Sequence, residues 1–230
     1  MRIDVESLLS SWRERNDVWL YLDVMREVVR EPGPDRDRVI AAAALGCDTA
    51  RAACGGSEVT RGDHRARVAS SMRSLPPLEV LAVAHYAFRR IEDLGPTEAP
   101  SDLVPRAAQL AESALRSEGR TEVPPIAQLR NHLEERQSRL DERAPPLQSP
   151  LDWSTYHRLS ASVALLDCVM SVAEVAGMDA TAAGEHAIAY EAARVLTSVA
   201  MSMERYYDEL DWQVELLWAV LLEPVLLARH

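Results

Sequence analysis

The sequence predicts an all-α fold, and three observations support that prediction. Ala, Leu, Glu and Arg dominate, and only 9 of the 230 residues are glycine, a composition that favours helix. Apolar residues recur at helical spacing along nearly the whole chain. Aromatic residues make up only 5%, which disfavours β-sandwiches and barrels. We therefore expect one irregular bundle of about eight or nine helices.

The first half of the chain is predicted to form five helices, most of them bounded by glycine or proline. Their expected positions are 8–29, a helix that Asp35 caps and Gly55-Gly56 ends, 58–73, Pro77–Leu94, and a helix from Ser101 to about Gly119. On the second of these helices the spacing predicts an inward face made of Val39, Ile40, Ala43, Ala44, Cys47 and Ala50.

The second half is predicted to form three or four helices. Pro124-Pro125 begins one of them, and a proline-rich linker follows at 144–150. Beyond it we expect helices near 151–176 and 180–207, then a terminal stretch with an inward side made of Tyr207, Leu210, Val214, Leu217 and Leu221. The linker is the only candidate boundary, and we interpret residues 1–230 as one helical domain.

Charge and cysteine content limit the partners and the compartment. The net charge is −11, which disfavours a nucleic-acid partner because phosphate contacts need clustered cations. Three cysteines form no C-x-x-C motif, which fits a reducing compartment. The start of the chain lacks the apolar region of a signal peptide, and no run approaches 18 apolar residues. We expect a cytoplasmic protein without a membrane span.

One segment carries a family resemblance. The segment Phe88–Pro96 reads F-R-R-I-E-D-L-G-P. It resembles the first metal-binding motif of bacterial class I terpene synthases, which usually reads F-D-D-x-x-D-x-G-P. Arg89 and Arg90 stand at the two leading aspartate positions, and Asp93 keeps a carboxylate in register.

Two further segments follow in the family's order. In P-L-D-W-S-T-Y-H-R-L-S-A-S, which begins at Pro150, Arg158 matches the arginine that senses the diphosphate. In L-T-S-V-A-M-S-M-E-R-Y, which begins at Leu196, the spacing is similar to that of the second metal motif. There Ser198 replaces an asparagine ligand, Ser202 keeps the serine, and Tyr206 replaces a glutamate. The resemblance covers at best residues 75–210.

The resemblance implies a terpene cyclase/synthase-like lyase of bacterial secondary metabolism, with an apolar pocket for a prenyl diphosphate or another isoprenoid. Such enzymes ionise the diphosphate with magnesium ions held between carboxylate-bearing helices. Carried over by position, Asp93, Arg158 and Tyr206 would be catalytic. The diphosphate would contact Arg89, Arg90, Arg158, Ser198 and Ser202. Few carboxylates remain, so Mg²⁺ chemistry is expected to be altered or lost.

The acidic residues near the C-terminus have two interpretations. On one continuous helix, Glu204, Asp208 and Asp211 would share a face and would be able to hold a divalent ion. The same pattern is typical of a solvated acidic face. Asp93 would similarly be either a residual metal ligand or part of an ion-pair set with Arg89 and Arg90.

A second function class stays open beside the enzyme: a non-catalytic helical protein-binding module, such as an immunity protein or a regulatory adaptor. An acidic surface suits such a role, and a homodimer is a further option for the partner. Tryptophan is enriched among interface anchors, and the chain has five: Trp12, Trp19, Trp153, Trp212 and Trp218.

Overall fold

A computed structural model describes residues 30, 32–53, 61–92, 102–142, 150–177 and 182–227. These ranges contain eight α-helices and no β-strand, which confirms the predicted all-α bundle. In chain order the helices are α1 Pro34–Ala53, α2 Arg61–Met72, α3 Pro77–Glu92, α4 Leu103–Arg116, α5 Val123–Glu142, α6 Pro150–Ala176, α7 Ala182–Ser202 and α8 Tyr206–Leu227.

The two long helices α6 and α7 form an antiparallel pair at the centre. The Ser154 hydroxyl donates to the Ser202 carbonyl at 3.0 Å, and the Cys168 thiol lies 3.9 Å from the Ile188 carbonyl at the other end of the pair. Small, fully buried side chains allow this close approach, because they fill the inner faces without separating the two backbones. They are Ala161, Ala164, Ala189, Ala192, Ala193 and Ala200.

The other helices pack around this pair. Helices α3, α4 and α5 contact α6, while α2, α3 and α8 contact α7. Helix α1 lies outside, against α2 and α8. One cluster of buried apolar side chains extends from Val39 of α1 to Val225 of α8, so all eight described helices share a hydrophobic core.

One described segment, Trp153–Ala176, is long and apolar enough to cross a membrane by length and composition. It makes up most of α6, and 56% of its most apolar window is buried inside the fold. A helix that packs against neighbours on several sides is apolar nearly all round. Its contacts with α3, α4, α5 and α7 therefore account for the hydropathy without a bilayer.

The inward face of α1 differs from the prediction. Val39, Ala42 and Leu45 are buried, whereas Ile40 is 46% exposed and Ala44 is also exposed. In an alanine-rich run, nearly every position is apolar, so spacing alone does not determine which face turns inward. Contacts with α2 and α8 select a stripe of residues three apart.

The predicted continuous helix at 180–207 was also wrong, because α7 ends at Ser202 and α8 begins at Tyr206. The Ser202 hydroxyl donates to the Val199 carbonyl at 2.7 Å, and the Met203 amide donates to the carbonyl three residues before it. Such side-chain and i→i−3 hydrogen bonds replace the regular i→i−4 hydrogen bonds of the α-helix, and the helix ends here. Glu204 therefore lies between two helices and shares no helix face with Asp208.

The terminal helix faces the core with a different set of residues from the predicted one. Leu217 and Leu221 are fully buried as expected, but Tyr207 is 73% exposed. Several predicted features lie outside the described residues. These are the helix at 8–29, Gly55-Gly56, Asp93 and the Gly95-Pro96 break, the Ser101 cap, and the linker residues 144–149.

Replacing Ile188 by alanine tests the central pair. Ile188 is fully buried on α7, so truncation leaves a cavity, and we expect the free energy of unfolding to fall by about 2–5 kcal/mol. The matched variant Ile40→Ala truncates an exposed isoleucine, and we expect a loss below about 1 kcal/mol. Urea unfolding measures both values. Equal losses would contradict the core position of Ile188.

Candidate functional site

The ends of four helices meet at one end of the bundle. The C-terminal turn of α3 contacts the first turn of α8 through Arg90 and Glu209. The C-terminal end of α7 contacts the start of α6 through Ser202 and Ser154, and only three residues separate α7 from α8. Most residues that the sequence singled out are therefore neighbours at this end, although they are spread over more than 100 positions in the chain.

Arg90 and Glu209 form the central ion pair of this region. Arg90 Nε and Nη2 each lie 2.9 Å from the same carboxylate oxygen, Glu209 Oε2. The Glu209 side chain is only 3% exposed, whereas that of Arg90 is 40% exposed. Burial raises the pKa of Glu209 above its usual value, although the Arg90 charge and the hydrogen bonds to Glu209 oppose the shift. The Glu209 carboxylate is thus buried, and the partly exposed Arg90 lies on the side that faces solvent.

Gln213 and His64 extend this ion pair into the core. The fully buried Gln213 donates through Nε2 to the Leu196 carbonyl at 2.9 Å and to Glu209 Oε1 at 3.3 Å. His64 of α2 is buried against Gln213. Burial lowers the pKa of His64, and the Arg67 charge adds to that shift while contact with Gln213 opposes it. We call His64, Arg90, Glu209 and Gln213 the buried polar cluster.

An aromatic stack covers the solvent side of this cluster. The rings of Tyr86 and Trp212 lie 5.8 Å apart at 21°, in a stacked arrangement. Arg90 Cζ lies 4.0 Å from the centroid of a Trp212 ring, which is cation–π geometry. Tyr86 is 43% exposed, so the stack reaches the surface. We call Tyr86, Arg90 and Trp212 the Tyr–Trp–Arg stack.

The predicted diphosphate contacts on α6 and α7 lie inside the helix pair. Arg158 is 5% exposed, and burial lowers its pKa. The Ser198 hydroxyl donates to the Ser160 hydroxyl at 3.2 Å, and the Ser202 hydroxyl donates to its own helix. Both serine hydroxyl hydrogens are therefore already engaged within the protein.

The remaining predicted residues that the structure describes are exposed or half-buried, and most of them form local pairs. Arg89 Nε lies 2.7 Å from Glu92 Oε2, within α3. Asp208 is exposed and pairs with Arg205 at 3.6 Å, while Glu204 is exposed beside them. Tyr206 packs its ring edge-on against that of the next tyrosine, at 5.3 Å between centroids. Asp93 lies outside the described residues.

Within the described residues, no group of three or more His, Cys, Asp or Glu side chains comes together as a metal site. Glu204 and Asp208, the candidate ligands of the sequence, belong to a bend and a helix respectively. We therefore derive no chemical step through a metal.

A surface groove of about 430 Å³ lies elsewhere, between α1 and α2. Its walls include Ile40 and Leu45 on α1 and Arg67, Ser70 and Arg73 on or just after α2. None of the sequence-predicted site residues lines it.

Sequence reasoning missed the core role of Glu209 and Gln213, and also a second charged network. Arg130 Nε lies 2.9 Å from Asp167 Oδ1, and Arg194 Nη1 lies 3.5 Å from Asp167 Oδ2, which connects α5, α6 and α7.

The burial of Glu209 and Gln213 had a signal in the sequence, because both polar residues occupy positions on the apolar side of α8. Glu209 and Gln213 are four apart in line with Leu217, a register that predicts burial.

Replacing Arg90 by methionine tests the ion pair. The variant leaves Glu209 buried without its cation, and we expect the free energy of unfolding at pH 7 to fall by about 1–3 kcal/mol, since Arg90 is partly exposed. The loss should shrink towards pH 5, because protonation removes the unpaired charge. Urea unfolding of Arg90→Met and of the double variant with Glu209→Gln measures this.

The exposed pair of Arg116 and Glu112 provides the control. Arg116 is 77% exposed, so we expect Arg116→Met to change the free energy of unfolding by less than about 0.5 kcal/mol. A loss for Arg90→Met no larger than this control would show that Glu209 does not depend on its arginine.

His64 makes the stability depend on pH. Its folded-state pKa lies below 6.5, so below that pH the unfolded chain binds more protons and the free energy of unfolding falls. We expect His64→Gln to reduce the slope of the free energy of unfolding against pH by at most about 1.4 kcal/mol per pH unit. Burial and Arg89 also lower the pKa of His85, so part of the slope should remain. Urea unfolding between about pH 7.5 and 5.5 measures it. The matched control is His132→Gln, which replaces an exposed histidine. An unchanged slope in His64→Gln would contradict the claim that His64 makes the stability depend on pH.

Comparison with known proteins adds no relative. No family model, no curated protein and no solved structure matches this chain. The roles given to the buried polar cluster and to the Tyr–Trp–Arg stack therefore come from contacts within this molecule. The similarity to terpene synthases rests on the three sequence segments alone.

Proposed function

We propose that this chain is a non-catalytic helical binding protein that recognises another protein, as an immunity protein or a regulatory adaptor does. The observation that carries this proposal is the internal pairing of the cations in the candidate site. Arg90 is paired with the buried Glu209, and Arg89 is paired with Glu92. A diphosphate would have to compete with these carboxylates for each guanidinium group.

The packing between the helices supports the same proposal. A small-molecule site needs a cleft of about 300–1,000 Å³ that encloses most of its ligand. Between α3, α6 and α7 the space is occupied by fully buried side chains of the common core, including Phe88, Ile91, Leu165 and Leu196. An isoprenoid chain would have to displace them.

The surface supplies features that a protein partner uses. Tyr86, Trp153 and Tyr207 are among the large hydrophobic residues that the fold leaves exposed. Tyrosine and tryptophan are enriched among the residues that contribute most to protein–protein binding energy. The net charge of −11 adds long-range attraction for a basic partner.

A second candidate is a terpene-synthase-like protein that binds or converts a prenyl diphosphate. The convergence of the ends of α3, α6, α7 and α8 favours it, because Arg90, Arg158, Ser198 and Ser202 belong to neighbouring helices. In that case the diphosphate would replace Glu209 as the partner of Arg90, and any magnesium requirement would have to involve Asp93.

Incubation with geranyl, farnesyl and geranylgeranyl diphosphates, with and without Mg²⁺, separates the two candidates. We expect no product and no rise in melting temperature with any of them, because the guanidinium groups are already paired. Glu209→Gln is the informative variant, since it weakens the internal competitor for Arg90. Product formation by the wild type, or diphosphate binding that strengthens in Glu209→Gln, would overturn the binding-protein proposal in favour of the second candidate.

A further inference from the structure

The buried polar cluster holds the Tyr–Trp–Arg stack in place from the core side, because Arg90 belongs to both. Arg90 contacts Trp212 on one side and the 3%-exposed Glu209 on the other. Glu209 is bonded in turn to Gln213, which is held by a backbone carbonyl of α7. A surface whose side chains are already fixed loses less conformational entropy on binding. The stack is thus pre-organised for a contact, whereas isolated exposed aromatic residues are not.

The stack also has the composition of a binding hot spot. Trp, Tyr and Arg are the residue types most enriched where truncation weakens protein–protein binding. Tyr86 is 43% exposed and Arg90 is 40% exposed, while Trp212 packs partly against the core. An apolar side chain of a partner would cover the exposed part of the rings and gain the usual area-dependent stabilisation.

The charges around the stack determine which partner fits. Residues 204–215 contain five acidic residues and one arginine. Asp208 and Glu215 precede and follow Trp212 by four and three positions, so both share its face of α8. Among the described residues, three arginines at this end of the bundle pair with carboxylates: Arg89 with Glu92, Arg90 with Glu209, and Arg205 with Asp208. Residues 204–215 of the chain therefore carry an excess of negative charge.

Resting on the proposed binding function, we propose that the Tyr–Trp–Arg stack is the docking surface and that its partner is a basic polypeptide segment with an apolar side chain between arginines or lysines. The apolar group covers the rings of Tyr86 and Trp212. The cations contact the carboxylates along α8, among them the exposed Asp211. An acidic segment or a nucleic acid would meet like charges here. A second copy of this chain, with the same net charge of −11, would also be repelled.

A labelled peptide that alternates arginine with leucine and tyrosine is the probe, and fluorescence anisotropy measures its binding. We expect saturable binding that weakens as salt is raised. Trp212→Ala should weaken it by about tenfold or more. Asp211→Arg, a surface change that leaves the core intact, should weaken it by about threefold or more because it reverses one complementary charge. A peptide with glutamate in place of arginine should not bind.

Tyr190→Ala is the matched control, because Tyr190 is another exposed tyrosine, 47% accessible, on α7 and away from the stack. We expect this variant to bind the peptide as the wild type does, while Tyr86→Ala binds more weakly. Circular dichroism and urea unfolding establish that each variant is folded. If Trp212→Ala does not fold, Asp211→Arg and Tyr86→Ala decide the outcome.

Three results would overturn the docking surface. These are no binding of the basic peptide, equal weakening by Tyr190→Ala and Tyr86→Ala, and unchanged binding in Asp211→Arg. Self-association measured by sedimentation, abolished by Trp212→Ala, would assign the surface to a second copy of the chain and would also reject the basic partner. Turnover of a prenyl diphosphate would instead reject the proposed function, so the two failures are distinguishable.

Discussion

The close antiparallel contact of α6 and α7 is the constraint on which the rest of the structure depends. Small side chains on the facing surfaces bring the two backbones together, and the serine hydroxyls between them are bonded within the pair. Because α7 also contacts α2, α3 and α8, its position determines where these helices can lie. The end of α7 at Ser202 then determines where α8 begins and hence where Glu209 is buried.

The buried polar cluster is better understood as a device for specific geometry than as a source of stability. Burying a carboxylate is unfavourable, and an ion pair often offsets that desolvation only in part. Leucine at positions 209 and 213 would cover the core without needing an ion-pair or hydrogen-bond partner. The hydrogen bonds of Gln213 to the Leu196 carbonyl and to Glu209 instead join α8 to α7 in the observed register. That register places Trp212 against Arg90 and Tyr86 at the surface.

The internal pairing of charges supports the proposed binding protein over an anion-binding enzyme. Arginine is the only basic residue type other than histidine in the chain, so an arginine in a motif is weak evidence for a phosphate site. The contacts distinguish among the arginines. Arg90 is held by a buried carboxylate, Arg89 by a neighbour on its own helix, and Arg158 lies almost completely inside the bundle. Asp208 and Asp211 of α8 remain exposed on the surface.

The sequence by itself determined the helical fold, since composition and helical spacing are local properties that most helices of the bundle obey. Its resemblance to a diphosphate site, which includes Arg90 and Ser202, stays a prediction. The tertiary structure decided which faces turn inward, because an alanine-rich run such as that of α1 is apolar on every side. It decided that Glu209 is buried and Asp208 is exposed, because the break after Ser202 sets the phase of α8. It also paired Arg90 with a residue 119 positions away, since contacts between distant segments leave no trace in local spacing.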